Sequence, residues 1–497
     1  MKIFSTQQIK NCDTFTIKSE PVYSLNLMQR VADSCVNWIS NKFKDKETFY
    51  IFCGNGNNGG GGLALARKMY QNGNDIKVFV NENENFSKDA ISNLQKIKQI
   101  PRIAIFDFAD AQTFNFKENA VIIDALFGTG LNRRINKKET DLINFLNDLD
   151  LHKVSIDMPS GLSADQMINP NAVIFKADET LSFKFWKRTF LHPETAVYCG
   201  KVHLLDISLS KEFILNEPTD QFVVDDKLIR LIYKVRNDFS NKGTYGKSTI
   251  VAGSYGMMGA AILATKAAMK TGSGLTYTIA PNCGYEILQT SCPEAMYIYG
   301  GQNYTIQLDY DSHSVVGIGP GLGNEAGTEE MVMNFLKECQ SPIVLDGDAL
   351  NIIAKNSSFI RRIPPRSIIT PHTKEFERLF GKTENSFQQL SLARKKAQEL
   401  DIIIVLKGHH TQIITPDNHV YYNITGNSGM AKGGSGDALL GILTSLLAQN
   451  YSSKNAAILG VWLHGKAGDL AAEKFSKEAM LPTDLIDELG NAFKYLA

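Results

Sequence analysis

Apolar residues recur along the chain in two rhythms. Met28, Val31, Ala32, Cys35, Val36, Ile39 and Phe43 fall at three- and four-residue spacing and predict a helix ahead of the first strand. Short apolar runs follow at 49–53, 76–80, 103–106, 121–124, 154–157 and 205–207, and again at 248–252, 315–318, 343–345, 368–369 and 402–406. Helical patterns separate many of them, notably at 63–70, at Ala260, Ala261, Leu263, Ala264 and Ala267, and at Leu439, Leu440, Ile442, Leu443, Leu446 and Leu447. Strand-length runs alternating with helical stretches predict parallel sheets covered by crossover helices, the α/β class.

A chain of 497 residues exceeds one hydrophobic core, so two domains are expected. The polar stretch around Pro218 marks the junction, giving domains at 1–212 and 213–497, and no internal repeat relates them. Lys plus Arg equals Asp plus Glu at 52 each, which removes any general electrostatic case for nucleic acid or an acidic membrane as partner. The seven cysteines are scattered without a C-x-x-C pair, which fits reduced thiols better than a disulfide framework or a zinc site. The N-terminal stretch lacks a signal-peptide core, and no run approaches the roughly 18 apolar residues of a membrane span. A cytoplasmic protein is expected.

The chemistry gathers where strands end. Gly426, Gly429, Gly433, Gly434 and Gly436 crowd one loop that opens a helix, a combination that turns backbone N–H donors toward an anion. Asp437 falls on the first turn of that helix, placed either to cap it or to take the proton of a substrate hydroxyl as phosphoryl transfer begins. Lys407 ends an apolar strand about thirty residues earlier, at a position suited to a phosphate tail. His372 follows Thr-Pro and is either a helix cap or a site residue; Asp346 and Asp348 either cap a helix or meet a cation.

In the first half, residues 54–62 read GNGNNGGGG after a strand and before a helical pattern. This contains G-x-G-x-x-G, with Glu82 near the place of a ribose-binding acid, yet the paired amides Asn57 and Asn58 and the long glycine run argue for a different loop. Asp124 and Asp157 stand at strand ends, the ligand-binding edge of an open α/β sheet. A Gly-bearing turn ending in Arg133 and Arg134 follows the first, and a turn presenting Ser160 follows the second. Asn58, Asp124 and Ser160 are hard oxygen donors that suit one monovalent cation.

Three of these motifs carry a resemblance. GNGNNGGGGLALAR, DALFGTGLNRR and DMPSGLSAD resemble the loops of the NAD(P)HX epimerase domain, a Rossmann-like domain that interconverts the R and S epimers of hydrated NADH and NADPH with a potassium ion in its site. The resemblance implies that Asn57, Asn58, Gly59, Gly60 and Gly61, with Gly128, Thr129, Gly130, Leu131, Arg133 and Arg134, contact the hydrated dinucleotide. It implies potassium at Asn58, Asp124 and Ser160, and an acid/base task for Asp157. Gly61 stands where the family usually has aspartate, as does Ser163, so a carboxylate is missing from the mouth of the site.

The second half, through KGTYGK, GSYGMMGAA, GPGLG, DGDALN, TPHTKEFERL, VLKGHHT and GNSGMAKGGSGD in order, resembles the ribokinase-like fold and the ADP-dependent NAD(P)HX dehydratases. It implies that Lys407, Gly408, His409, His410 and Thr411, with Gly433, Gly434, Ser435 and Gly436, hold ADP with Mg2+. Ala261, Gly323, His372 and Asp437 would face the hydrated nicotinamide, with Asp437 as the base. Asn241 and Lys432 depart from the usual pattern without removing a catalytic group. The expectation is thus two three-layer α/β domains, Rossmann-like and ribokinase-like, fused for repair of hydrated NADH and NADPH in a homo-oligomer. A vitamin-precursor kinase of the same fold, with a non-catalytic first domain, is the competing reading; a dehydrogenase is a weaker one.

Overall fold

A computed structural model describes the chain except residues 21–23, 44–47, 132 and 497. It divides into two compact units, Lys2–Thr219 and Asp220–Ala497, Met1 grouping with the second. The division falls within the expected junction, Lys211 to Gln221, and past residue 212 because the helix Lys211–Asn216 packs Phe213 and Ile214 onto Phe4, Cys12 and Leu209 of the first unit.

The first unit is built on seven parallel strands: β1 Thr48–Cys53, β2 Asp75–Val80, β3 Ala104–Phe106, β4 Val121–Ala125, β5 His152–Ile156, β6 Glu179–Phe183 and β7 Lys201–Leu205. Their order is β3-β2-β1-β4-β5-β6-β7. Strand β1 is buried throughout, and its alternation divides the core. Phe49, Ile51 and Cys53 face a layer with Leu63, Ala66 and Met69, while Tyr50 and Phe52 face Phe79, Ile122 and Leu142 on the other side. Each such side chain contributes about 1.5–3 kcal/mol by leaving water. Helices therefore cover both faces, the three-layer arrangement expected of an α/β domain.

Three local expectations change. The glycine run is not a turn before a helix but lies inside it, the helix spanning Asn57–Gln71. A Cβ at Gly59 would lie 1.7 Å from the Gly54 carbonyl oxygen, and one at Gly62 would lie 2.6 Å from Ala125 Cβ, so these glycines let the helix rest directly on the ends of β1 and β4. The run at 205–207 is not a strand: β7 ends at Leu205, and Ile207 packs with Phe4 and Leu27 instead. Asp157 lies just past β5 with φ +71, a left-handed conformation unusual outside glycine.

The second unit carries a ten-stranded sheet: β8 Gln221–Val224, β9 Lys247–Val251, β10 Leu275–Ala280, β11 Met296–Tyr299, β12 Val315–Ile318, β13 Val344–Leu345, β14 Ile368–Ile369, β15 Ile403–Leu406, β16 Gln412–Ile414 and β17 Val420–Asn423. The order is β11-β10-β9-β12-β13-β14-β15-β16-β17-β8. Pairing is parallel as far as β15, antiparallel through β15-β16-β17, and parallel again at β8. Strands β6, β8, β10, β11, β16 and β17 had no counterpart in the apolar runs. One sheet face packs Ile250, Val344, Ile368, Ile403 and Val405 against the helices Met258–Thr271, Ser435–Ala448 and Ser453–Phe475. The alternate residues Val251, Leu345, Ile369 and Ile404 are buried as well, so this sheet too is covered on both sides. Among the described residues, no helix is long and apolar enough to cross a membrane.

Candidate active sites

Each sheet reverses its strand order once, between β1 and β4 in the first unit and between β9 and β12 in the second. Such a switch point parts the loops at the strand C-termini and opens a crevice. In the first unit the motif loops lie there; in the second the loops after β9 and β12 do, while Asp346 and Lys407 follow β13 and β15.

In the first unit the crevice is a cavity of about 450 Å³, within the range of small-ligand sites. Asn57, Asn58, Gly61, Gly128, Thr129, Gly130, Leu131, Arg133 and Asp157 line it, whereas Gly59, Gly60 and Arg134 do not. Gly59 and Gly60 lie on the buried face of the helix, and Arg134 is exposed. The Arg133 guanidinium is gripped by Glu139 through bonds of 2.5 and 2.9 Å, which raises its pKa further. Asp157 is held from two sides: Lys187 Nζ donates to Oδ1 at 2.6 Å and the Thr129 amide donates to Oδ2 at 2.8 Å. Lys187 also donates to the Asp157 carbonyl and to Ser182 Oγ, which occupies all three ammonium protons. These bonds stabilise the unusual backbone of Asp157.

Asp124 is fully buried behind the cavity. Its carboxylate accepts four bonds, from Ser160 Oγ at 2.5 Å, Ser160 N and Ser155 Oγ at 2.9 Å each, and Leu126 N at 3.1 Å. Burial pushes its pKa up to about 6, against the pull of those donors. Asn58 donates through Nδ2 to the Ile156 carbonyl. The three residues chosen as cation donors therefore offer oxygen alone, chemistry suited to an alkali ion, but Asp124 would share its oxygens with four protein donors.

In the second unit, Lys407 follows β15 and its chain continues pairing alongside His372. Its ammonium meets Asp346 Oδ1 at 2.7 Å and Glu375 Oε2 at 3.8 Å. Burial opposes the charge, but Asp346 and Glu375 outweigh it and hold the Lys407 pKa above its ordinary value. Asp346 occupies an N-cap position without making a cap bond, because its side chain serves Lys407 instead. Asp348 accepts from the Gly323 amide at 2.9 Å and so fixes the GPGLG loop.

The helix Ser435–Ala448 begins beside this pair. Its N-cap is Gly434, with φ +100 and no side-chain cap bond, so Asp437 is not a cap. A Cβ at Gly436 would lie 3.2 Å from Asp346 Oδ2 and 3.5 Å from Lys407 Nζ, which sets the open helix end against the charged pair. Burial, and then the Asp346 charge, push the Asp437 carboxyl up to about 6, while Lys407 draws it down. An uncapped, glycine-flanked helix end, a lysine and a carboxyl of raised pKa form an arrangement that can receive an anion and accept a proton.

The family profile described as NAD(P)H-hydrate dehydratase matches residues 248–491, and that described as YjeF-related protein N-terminus matches residues 24–189. The chain is 31% identical over 511 residues to the bifunctional NAD(P)H-hydrate repair enzyme of Moorella thermoacetica, covering 98% of this chain and 96% of that protein. It belongs to the bifunctional NAD(P)H-hydrate repair enzyme family. The Thermofilum pendens member is 30% identical, with 100% and 97% coverage. The crystal structure of the ADP/ATP-dependent NAD(P)H-hydrate dehydratase from Bacillus subtilis, co-crystallised with ATP and Mg2+, is 30% identical with a TM-score of 0.50, covering 56% of this chain and 100% of that one. The α/β class expected for both units holds.

Several repair-family positions serve structure as well as any ligand. His372 caps the helix Thr373–Phe380: its Nδ1 accepts from the Lys374 and Glu375 amides at 3.1 and 3.3 Å, leaving Nε2 as its other polar atom. Ala261 is fully buried in the core. Ser435 Oγ donates to the Met430 carbonyl at 2.8 Å, and Gly433 lies in open space. Within the segment of Gly408, His409, His410 and Thr411, Thr411 Oγ1 donates to the Gly408 carbonyl and the two histidine rings meet edge to face at 4.4 Å. Lys432 donates to the Glu478 and Met480 carbonyls, so its bulk is directed onto another loop. Sequence reasoning missed Lys187, Asp13 and His464. His464 Nε2 donates to the Ser435 carbonyl at 2.9 Å beneath the glycine loop, and burial lowers its pKa to about 4. None of the three belongs to a motif; only the fold brings them to the sites.

Proposed function

We propose that the protein repairs hydrated NADH and NADPH in two steps, one in each unit. In the second unit, ADP lays its phosphates across the Lys407 loop and the helix end at Gly433, Gly434, Ser435 and Gly436. The ring hydroxyl of the S epimer attacks the terminal phosphorus while Asp437 takes its proton, and the helix N-terminus and Lys407 stabilise charge on the moving phosphoryl group. AMP departs. The carbon–oxygen bond then breaks with loss of phosphate, and loss of a ring proton restores the dihydronicotinamide.

Asp437 beside the Lys407–Asp346 pair at an uncapped helix end is the observation that carries this reading. Among the described residues, no three His, Cys, Asp or Glu side chains cluster to hold a metal. That suits Mg2+ arriving with the phosphates and keeping much of its water, with Asp346 and Asp348 near at hand. When bound, it would neutralise phosphate charge.

In the first unit, the cavity binds the hydrated nicotinamide against Asn57, Thr129 and Asp157 and interconverts its epimers. Potassium would be held by Asn58, Asp124 and Ser160, where it would balance the buried Asp124 charge. The family also leads us to a cytoplasmic homo-oligomer, which light scattering of the purified chain tests. The functional test is the product: free phosphate appearing with each dihydronicotinamide restored supports repair, whereas a stable phosphorylated product would establish the kinase alternative.

A further inference from the structure

The cavity of the first unit contains a carboxyl that no motif marks. Asp13 lies in the helix Thr6–Ser19 and lines the same cavity as Asn57, Asn58, Thr129 and Asp157. The helix is held firmly at that point. Its neighbours Cys12 and Thr16 are fully buried, and Thr16 Oγ1 donates to the Cys12 carbonyl at 2.8 Å while accepting from the Ser210 amide at 2.9 Å. At the start of the helix, Ser5 and Gln8 form a reciprocal cap.

Two carboxyls therefore share one cavity, and they are not equivalent. Asp157 has a cation of its own, with both oxygens bonded by Lys187 and Thr129. Lys187 has no fourth proton to give. Among the described residues, no side chain makes a hydrogen bond or ion pair to Asp13, so its oxygens remain available to a ligand. Burial, and then the Asp157 charge, push the Asp13 carboxyl up to about 7, with Lys187 drawing it down. The other charged groups on the cavity wall are Lys10, Asp89 and Arg133, the last tied to Glu139. A carboxyl poised near neutrality populates both its acid and its base form, the condition for efficient proton transfer.

We propose that Asp13 is the catalytic acid and base of the first unit, protonating the hydroxyl that leaves the hydrated nicotinamide ring and recovering its proton from the water that returns. This rests on the reading of that unit as an epimerase. The carbon–oxygen bond beside the ring nitrogen breaks, the oxygen takes the Asp13 proton and leaves as water, and the nitrogen lone pair closes a carbon–nitrogen double bond. The cationic ring faces the fixed charge of Asp157. Water adds to the other face, gives a proton to the Asp13 carboxylate and leaves the opposite epimer, so nothing is oxidised or reduced. Asp157, first expected to be the acid/base group, takes the electrostatic part because its oxygens are already bonded.

The test follows R-to-S interconversion of hydrated NADH by chromatography, without ADP, from pH 5 to 9. It uses the full-length protein, Asp13→Asn and Asp13→Glu, with ADP-driven recovery by the second unit as a control in each sample. The wild type should show a rate that falls as pH rises through about 7. Asp13→Asn should lose about 10²-fold or more and lose that pH dependence, and Asp13→Glu should regain most of the rate with the bend displaced. Wild-type rate and pH profile in Asp13→Asn would overturn the proposal while leaving the epimerase reading intact. A wild type that fails to interconvert the epimers while its second unit turns over would overturn both. If Asp13→Asn fails to fold, an Asp13→Glu profile identical to wild type would overturn the proposal instead.

Discussion

Lys407 Nζ lies 2.7 Å from Asp346 Oδ1, in a largely buried pair set against the first turn of the helix that carries Asp437. The pair keeps an ammonium charged where the proposed mechanism seats a phosphate, and it sets charges of both signs around Asp437. Lys407→Met leaves Asp346 as a buried carboxylate without its strongest partner, which costs about 3–5 kcal/mol. The double variant Lys407→Met with Asp346→Asn is expected to regain most of that stability in denaturant titrations and none of the dehydratase activity. Recovery of activity along with stability would mean that Lys407 serves only the fold.

On the proposed mechanism, Asp437 governs the pH dependence of the second unit. A base must be ionised, so kcat/KM of the dehydratase should fall as pH drops through about 6, the value to which burial raises this carboxyl. His464 does not share that limb, because burial keeps it neutral down to about 4. His464→Gln should retain the limb. Asp437→Asn should abolish it and lower kcat about 10²- to 10⁴-fold.

The same shift has a sign in stability. Between the unfolded value near 4 and the folded value of about 6, the native state binds the extra proton, so Asp437 lowers stability as pH rises through that window. Asp437→Asn should therefore stabilise the second unit at pH 7 by up to about 3 kcal/mol, seen as a higher melting temperature, and have a smaller effect at pH 4. An equal change at both pH values would count against the raised carboxyl.

The glycines of the first unit should separate by geometry. A Cβ at Gly61 meets nothing nearer than Val31 Cγ1 at 3.9 Å, whereas one at Gly59 strikes the Gly54 carbonyl oxygen. Gly61→Asp should fold and, with Asp13 already supplying the proton, change the epimerisation rate less than about threefold; a gain of tenfold or more would place the missing group at position 61. Gly59→Ala should cost about 1–3 kcal/mol by thermal melting.

Much of this was legible in the sequence because strand ends carry the chemistry. Lys407, Asp437, Asp124 and Asp157 all sit where an apolar run meets a polar loop, and the sheets bring those loops to one edge. The Asn57–Gln71 helix was obscured because glycine disfavours helix in isolation, and packing on Gly54 and Ala125 overrides that preference. Short strands such as β16 and β17 are specified by their partners more than by their own apolar pattern. Asp13, Lys187 and His464 gave no local signal: each reaches its site from an element distant in sequence, and its chemistry comes from burial and charges that only the fold assembles.

The most direct test of the central claim uses a mixture of R- and S-hydrated NADH with the purified full-length protein, potassium, Mg2+ and ADP, following dihydronicotinamide absorbance and free phosphate together. The account predicts complete recovery, faster than uncatalysed epimerisation permits, with one phosphate released for each dihydronicotinamide restored. Recovery that stops when the S epimer is exhausted would contradict the role given to the first unit, and no recovery with either ADP or ATP would contradict the account as a whole.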